Sequence, residues 1–300
     1  MGGPPGGDRR LSNRSLALIL NPSSAGGKAL RALPAARTEL TALGLEHRVI
    51  ETRDIAHAAH AATEAASAGE VVVAMGGDGL VGTLAGAVRD SGVLGVLPAG
   101  RGNDFARELG IEDLGAACHV LAEGFERRLD LGEVNGKPFV CIASAGFDSD
   151  ANRIANEALV IRGNLVYLYA ALRALAAWRP ATFGVRLDGE QHHFSGFTVA
   201  VANTRFYGGG MRVAPAAKPE DGLLEVIVIG GQSKLRFLSN LPKVFSGKHV
   251  AVDSVQVFRA SEVKLAADRP FDVYGDGERL TELPATVRVI PGLLRVLAPR

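Results

Sequence analysis

The residues most able to do chemistry sit in Val71-Val72-Val73-Ala74-Met75-Gly76-Gly77-Asp78-Gly79-Leu80. A short β-branched run ends in Gly-Gly-Asp-Gly. The run reads as a buried parallel strand. Gly76, Gly77 and Gly79 let the backbone turn sharply and approach a ligand without a Cβ in the way. Asp78 then stands at the tip of the turn, and open α/β sheets bind ligands beyond the carboxyl ends of their strands. The expected ligand carries phosphate, and the expected chemistry is phosphoryl transfer.

Two further turns of this kind follow strands in the first half. Asn21-Pro22-Ser23-Ser24-Ala25-Gly26-Gly27-Lys28 opens a helix whose free N–H groups, with Lys28, suit a phosphate. It lacks the Walker A spacing. Pro98-Ala99-Gly100-Arg101-Gly102-Asn103-Asp104-Phe105-Ala106-Arg107 frees the backbone at Gly100 and Gly102 and offers the Arg101 fork and the Asp104 carboxylate. Asn103 or Asp104 can also serve simply as a helix N-cap. Together the three turns favour a nucleotide site. In the second half Gly275-Asp276-Gly277-Glu278 reads on its own as a hairpin turn, and Ala217–Leu223 as a turn before a strand or a cation loop. His192-His193 reads as surface, and no Ser-His-Asp order or Cys/His zinc spacing stands out.

The elements that must place these turns are legible in outline. Strands over Ser15–Leu20, Glu46–Glu51, Val71–Met75 and Val93–Leu97 alternate with helices over Lys28–Leu43, Ile55–Ser67, Val81–Arg89 and Asp104–Leu109. That is βαβ alternation, hence a parallel sheet with right-handed crossovers. After about Arg128 the pattern changes to strands separated by tight turns: Leu129–Val134, Lys137–Ile142, Thr182–Leu187, His193–Ala202, Leu223–Ile229, Val255–Arg259, Glu262–Ala266, Phe271–Tyr274 and Thr286–Ile290. Helices interrupt near Asn152–Trp178 and Ser233–Phe245. A mostly antiparallel β-sandwich is expected there.

At 300 residues two domains are expected, after a Gly/Pro/Arg-rich disordered start over Met1–Asn13. A net charge of +1 gives no global field to recruit nucleic acid. Cys118 and Cys141 lie in apolar company and read as buried thiols of a reducing compartment. Arg162, Arg173 and Gly163-Asn164 interrupt Ala158–Trp178, so it makes a poor spanning helix. A cytoplasmic protein without a transmembrane anchor is expected.

The order of the turns resembles the soluble bacterial diacylglycerol kinase and sphingosine-kinase-like lipid kinase family. Its marks stand here as Asn21–Gly27, Gly76–Leu80, Pro98–Arg107 and Asp276–Glu278. Further matches are Arg127–Gly136, Ala143–Asp148, Phe206–Met211 and Asp221–Val226, so the likeness runs from Ser15 to Pro299. It implies an N-terminal Rossmann-like α/β nucleotide domain over 14–133, a C-terminal β-sandwich over 134–300 with its last strands free to return to the first domain, and an active site in the cleft between them. It implies ATP held by Asn21, Pro22, Ser23, Ser24, Thr52, Gly76, Gly77, Asp78, Gly79, Gly100, Arg101, Asn103 and Asp104. Asp78, Asp104 and Asp130 would position a catalytic Mg²⁺. Glu278 would be the general base, with Asp276 in support. Lys218, Asp221 and Leu223 match a structural magnesium loop.

The acceptor implied is diacylglycerol or a related lipid at the membrane surface, met through transient peripheral contact, and a homodimer is compatible with the family. Leu165–Arg179 is a candidate contact helix, with core packing on the sandwich as the favoured alternative. Gly-Gly-Asp-Gly alone is shared with NAD kinases and phosphofructokinases, so an NAD kinase, or a nucleotide or lipid sensor without catalysis, stays open. The chain departs from the family at Leu80, Gly82, Thr83 and Arg101, and in its Ser24-Ala25-Gly26-Gly27 turn. Arg101 stands where relatives place a Thr, as a substitute phosphate clamp or a change in nucleotide preference.

Overall fold

The computed structural model describes residues 15–23, 26–157 and 173–300. Met1–Asn13, Ser24, Ala25 and most of the Leu165–Arg179 segment lie outside the described residues. Two lobes share a single hydrogen-bonded sheet system.

In the first lobe, β1 (Leu16–Leu20), β2 (His47–Glu51), β3 (Val71–Gly76) and β4 (Val93–Pro98) pair in parallel in the order β2-β1-β3-β4. β1 and β3 are buried at every position, as strands covered on both faces must be. The crossovers are α1 (Lys28–Ala42), α2 (Ile55–Ser67) and α3 (Asp78–Val88). α4 (Asp104–Glu108) and α5 (Leu114–Glu123) follow β4. α1 and α5 pack together, as do α2 and α3. The tight fit of α2 rests on its alanines: Ala58, Ala61, Ala62, Ala65 and Ala66 are all buried.

In the second lobe, β5 (Phe125–Val134), β6 (Lys137–Phe139), β7 (Ile142–Gly146), β8 (Ala181–Leu187), β9 (Glu190–Ala202), β10 (Leu224–Gly230), β11 (Val255–Ala260), β12 (Glu262–Ala267), β13 (Asp272–Gly275), β14 (Glu278–Glu282) and β15 (Ala285–Ala298) form the sandwich. β9 joins its two sheets. The residues of β9 near its start pair with β8, and those near its end pair with β7 on one side and β10 on the other. The core between the sheets is aromatic: Phe147, Trp178, Phe197 and Phe237 meet at centroid distances of 4.4–6.1 Å. Trp178 is buried there, so the described end of the Leu165–Arg179 segment packs into the sandwich. α6 (Phe147–Glu157) and α7 (Lys234–Phe245) flank this core. No described helix is long and apolar enough to cross a membrane.

β15 ties the lobes together. It runs antiparallel to β5 along both strands, shifts register between Ile290 and Leu294, and then sets Val296 parallel to Leu94 of β4.

Several boundaries differ from the sequence expectation. α3 starts at Asp78 rather than Val81, because Gly77 enters the helix in extended conformation (φ −100°) and Asp78 is already its first residue. Lys137–Ile142 is split into β6 and β7: the Val140 and Cys141 N–H groups bond a side chain instead of a neighbouring strand. α5, the charged start of β5 (Phe125-Glu126-Arg127-Arg128) and the far half of β15 were not expected. The interrupting helix starts at Phe147 rather than Asn152 and is described as far as Glu157, with helix again over 173–177.

Candidate active site

The three turns of the first lobe meet at the carboxyl ends of β1, β3 and β4. Asn21 Oδ1 accepts from the Ser23 N–H (3.0 Å) and hydroxyl (2.8 Å), which shapes the turn containing Pro22. Thr52 is buried at the end of β2, its N–H (2.8 Å) and hydroxyl (3.1 Å) both given to the Leu20 carbonyl. Lys28 Nζ crosses to the Gly100 carbonyl at 2.7 Å, linking the first turn to the third. Gly77 and Gly100 touch through their backbones: a Cβ on Gly100 would lie 2.3 Å from Gly77 Cα. Only glycine fits at that crossing. Arg101 is exposed at the tip of its turn.

The helix ends at this edge are left open. α2, α5 and α7 begin with Asp54, Asp113 and Ser233, whose side chains accept from N–H groups of the first turn. α1 and α3 begin with Gly27 and Gly77 and have no side-chain cap. Their first N–H groups therefore point at the site with the positive end of the helix behind them, ready for an anion. α4 is capped from outside: Asp78 Oδ1 accepts from the Phe105 N–H at 2.9 Å. Asn103 does not cap α4 with its side chain. It adopts a left-handed conformation (φ 54°), and its Oδ1 accepts from the Gly100 N–H at 2.8 Å.

The second lobe closes over this edge through the β13–β14 hairpin. Asp276 (φ 52°) and Gly277 (φ 85°) form the two-residue turn, the mirror-image type that suits a hairpin. The Asp276 carboxylate accepts from the Val140, Cys141 and Ile142 N–H groups at 2.7, 2.9 and 3.3 Å. It also reaches α3, where a Cβ on Gly82 would meet its Oδ2 at 2.8 Å. Glu278 lies over the start of the same helix: a Cβ on Gly79 would meet its Cγ at 2.9 Å and its Oε1 at 3.2 Å. Residues some two hundred positions apart in sequence thus face each other across the cleft.

Burial pushes the Asp276 carboxyl up to about 7, and the Asp78 carboxylate adds to the rise despite the three backbone donors. Burial also raises Glu278, which keeps an exposed flank at the cleft mouth. Asp104 is raised first by burial and then by Asp78. The cleft therefore gathers Asp78, Asp104 and Asp276 near one another, a concentration of negative charge that a cation would relieve.

Not every expected ligand joins them. Both Asp104 oxygens are already used: Oδ1 by the Gly210 N–H (2.7 Å) and Arg107 (2.6 Å), Oδ2 by the Gly209 N–H (2.8 Å). Asp104 therefore clamps the first lobe to the 206–211 turn of the second. Asp130 turns elsewhere, its carboxylate accepting from the Gly222 and Gly292 N–H groups, each at 2.8 Å. It braces the loop of Lys218, Asp221 and Leu223 instead of meeting Asp78 and Asp104. Among the described residues no three His, Cys, Asp or Glu side chains are arranged to hold a metal ion. In the loop itself, Asp221 accepts from the Leu223 N–H at 3.1 Å and pairs with Arg259. Sequence reading missed Glu225, which is buried beside Asp221 with Oε2 unpartnered and its carboxyl raised by burial. It also missed Arg107 and the Gly209-Gly210 pair; the signal was the run Gly208-Gly209-Gly210, whose positive φ angles (64°, 87° and 107°) aim two successive N–H groups at one carboxylate.

Comparison with known proteins agrees with this two-lobed fold. Residues 15–134 match the model of the diacylglycerol kinase catalytic domain, and residues 141–298 that of the YegS C-terminal NAD kinase beta sandwich-like domain. A diacylglycerol kinase of Mycobacterium tuberculosis is 34% identical over 302 residues, covering 97% of each chain. The chain belongs to the diacylglycerol kinase family. A second relative, a diacylglycerol kinase of Bacillus subtilis, is 26% identical over 94% of this chain and 96% of its own. The fold is also that of a diacylglycerol kinase of Bacillus anthracis str. Sterne, with a TM-score of 0.70 at 18% identity over 95% and 97% of the two chains. An NAD kinase from Archaeoglobus fulgidus in complex with ATP shares the fold more distantly, with a TM-score of 0.50 at 12% identity over 95% and 94%.

Proposed function

We propose that the protein is an ATP- and Mg²⁺-dependent lipid kinase that transfers the γ-phosphate of ATP to the hydroxyl of diacylglycerol, giving phosphatidic acid. The observation that carries this reading is the Asp276–Glu278 hairpin lying over the open start of α3. One lobe offers donors for phosphate, and the other offers a carboxylate to the acceptor. The full-length relatives named diacylglycerol kinase support the lipid acceptor over NAD.

The roles follow from position. The uncapped N–H groups of α1 and α3, with Lys28 beside them, bind phosphate oxygens. Glu278 accepts the proton of the acceptor hydroxyl as its oxygen attacks phosphorus and the bond from phosphorus to the departing ADP oxygen breaks. Asp276, fixed by three backbone N–H groups, sets the hairpin so that Glu278 faces α3. Asp78 would hold a Mg²⁺ ion together with phosphate oxygens and water, the way Mg²⁺ is usually held, with Asp276 close by and its oxygens engaged by backbone N–H groups. When bound, that ion neutralises charge on the transferred phosphoryl group. Asp221 and Glu225, with the Lys218 and Leu223 carbonyls, suit a second, structural cation. Contact with the membrane is transient, made from the cytoplasmic side.

The test is radiolabelled ATP offered with diacylglycerol, monoacylglycerol, sphingosine, phosphatidylglycerol and NAD. Label in phosphatidic acid is the expected result. NADP formation without lipid labelling would replace this reading by an NAD kinase. Tight ATP binding with no labelled product on any acceptor would replace it by a sensor.

A further inference from the structure

The stretch from 226 to 252 contains no Asp or Glu, yet it carries Lys234, Arg236, Lys243 and Lys248. Most of it is α7 and the short 3₁₀ turn Lys248–Ala251 that follows. α7 buries Phe237 against Phe147 and Phe197. The same helix also carries two of the most exposed apolar side chains among the described residues, Leu235 at 79% near its start and Phe245 at 58% at its end. Apolar side chains of this size on the outside of a cationic helix are not needed for folding. They call for a partner that is oily and negatively charged.

The position of α7 relative to the cleft supplies a second observation. At its C-terminal end the Val244 carbonyl accepts from the Arg212 N–H at 3.0 Å, and Gly247 packs on Pro215 and Arg212. The Arg212 guanidinium lies 5.8 Å from the Phe206 ring centre, which Arg107 (5.8 Å) and Arg205 (5.4 Å) also approach. Phe206 begins the turn that holds Asp104. A continuous cationic rim thus runs from α7 to the mouth of the cleft. Arg107 and Arg205 are paired with Asp104 and Glu108, whereas Lys243 and Lys248 form no ion pair among the described residues. Among the described residues the carboxylate paired with a cation of α7 is Asp253, loosely placed 3.9 Å from Arg236 and almost fully exposed.

We infer that α7 is the docking surface for an anionic lipid bilayer, with Leu235 and Phe245 entering the interface, Lys243 and Lys248 meeting lipid phosphates, and the Arg212 rim bringing the cleft to the membrane. This rests on the proposed lipid acceptor for its purpose, though the docking itself is measured without it.

The experiment is flotation of the full chain with vesicles that contain neither diacylglycerol nor ATP. Binding to phosphatidylcholine vesicles containing phosphatidylglycerol is expected, with little binding to phosphatidylcholine alone and weakening as salt screens the charges. Lys243→Gln and Lys248→Gln are each expected to lower the partition coefficient about fivefold, from about 1 kcal/mol per lysine at an anionic surface. Leu235→Ser with Phe245→Ser is expected to lower it at least about tenfold, from lost apolar burial. All these variants are expected to keep wild-type circular dichroism and wild-type phosphorylation of a diacylglycerol with chains short enough to stay monomeric in water. Wild-type flotation of the variants would overturn the assignment, as would equal binding to neutral vesicles. A wild-type dimer that the Leu235→Ser/Phe245→Ser variant breaks would instead assign this face to a second copy of the chain. Failure of the wild type to phosphorylate the monomeric lipid would overturn the lipid-kinase reading and leave the flotation result standing.

Discussion

Gly79→Ala separates stability from activity at this site. Gly79 is the second residue of α3, with ordinary helical backbone, so alanine there adds helix propensity of up to about 0.5–1 kcal/mol. The new methyl carbon would lie 2.9 Å from Glu278 Cγ and 3.2 Å from Oε1. Carbon atoms settle at about 3.5 Å or more, so Glu278 must move by at least about half an ångström. The obstacle is a side chain with an exposed flank, and rotation relieves the clash without disturbing the core. Misplacing a reacting group by about 1 Å costs up to about 10²-fold in rate. The expected outcome is a protein with an unfolding midpoint at or above wild type and kcat lowered about 10- to 100-fold. Urea denaturation and a radiolabelled ATP assay on the same sample measure both. Wild-type kcat would show that Glu278 does no work where it lies, and a collapsed midpoint would show that the hairpin cannot yield. The nearby Gly100→Ala is the control of opposite sign. Its methyl would meet the Gly77 backbone at 2.3 Å, and neither backbone can step aside, so a loss of at least about 1–3 kcal/mol is expected in the same denaturation assay.

Other consequences are as specific. Glu278→Gln keeps the shape and removes the base, so kcat is expected to fall about 10²- to 10⁴-fold with the fold intact by circular dichroism; a fall of less than threefold would exclude the base role. Asp104→Asn weakens the clamp on Gly209 and Gly210, and a loss of about 1.5–3 kcal/mol in urea denaturation is expected; no measurable change would mean that the lobes are held elsewhere. Asp276 carries its proton up to about pH 7 in the folded chain, well above the usual carboxylate value, so folding takes up a proton in that range. Its contribution to stability is present at low pH and is lost as pH rises from about 4 to about 7, with a limiting slope of about 1.4 kcal/mol per unit. Comparing metal-free wild type with Asp276→Asn at pH 5 and pH 8 checks the sign, since the variant should lose less stability on the way up.

The first lobe was nearly all legible because βα alternation writes itself in apolar runs and glycine stops. α3 was read three residues short for an instructive reason. Its start has no polar cap, and a reader who looks for Ser or Asp before the apolar stripe finds only Gly77. The same missing cap is what leaves the N–H groups for a ligand. Lys137–Ile142 looked like one strand because every residue in it suits a strand. It is broken by Asp276, more than 130 residues away, and no local pattern records that contact. Asp130 matched a motif whose neighbours in sequence said nothing of where its oxygens would go; in space it serves the Gly222 and Gly292 N–H groups. The start of β5 is too charged to look like a strand, and pairing with β15 holds it, with Glu126 bonded to Arg295.

β15 has a bearing on how the molecule is made. Residues 15–134 contain β1 to β4 and the three glycine-rich turns of the first lobe, yet β4 gains its outer neighbour only from Val296 and the residues around it. During synthesis the first lobe must wait, with one sheet edge bare, until residue 298 has left the ribosome. The lobe made first is finished last, by a strand that has already passed through the other lobe. A fragment ending at Val134 would expose β4 to chance pairing with other chains. The two lobes should melt in one transition, and a protease cut between Ile290 and Leu294 should loosen both at once.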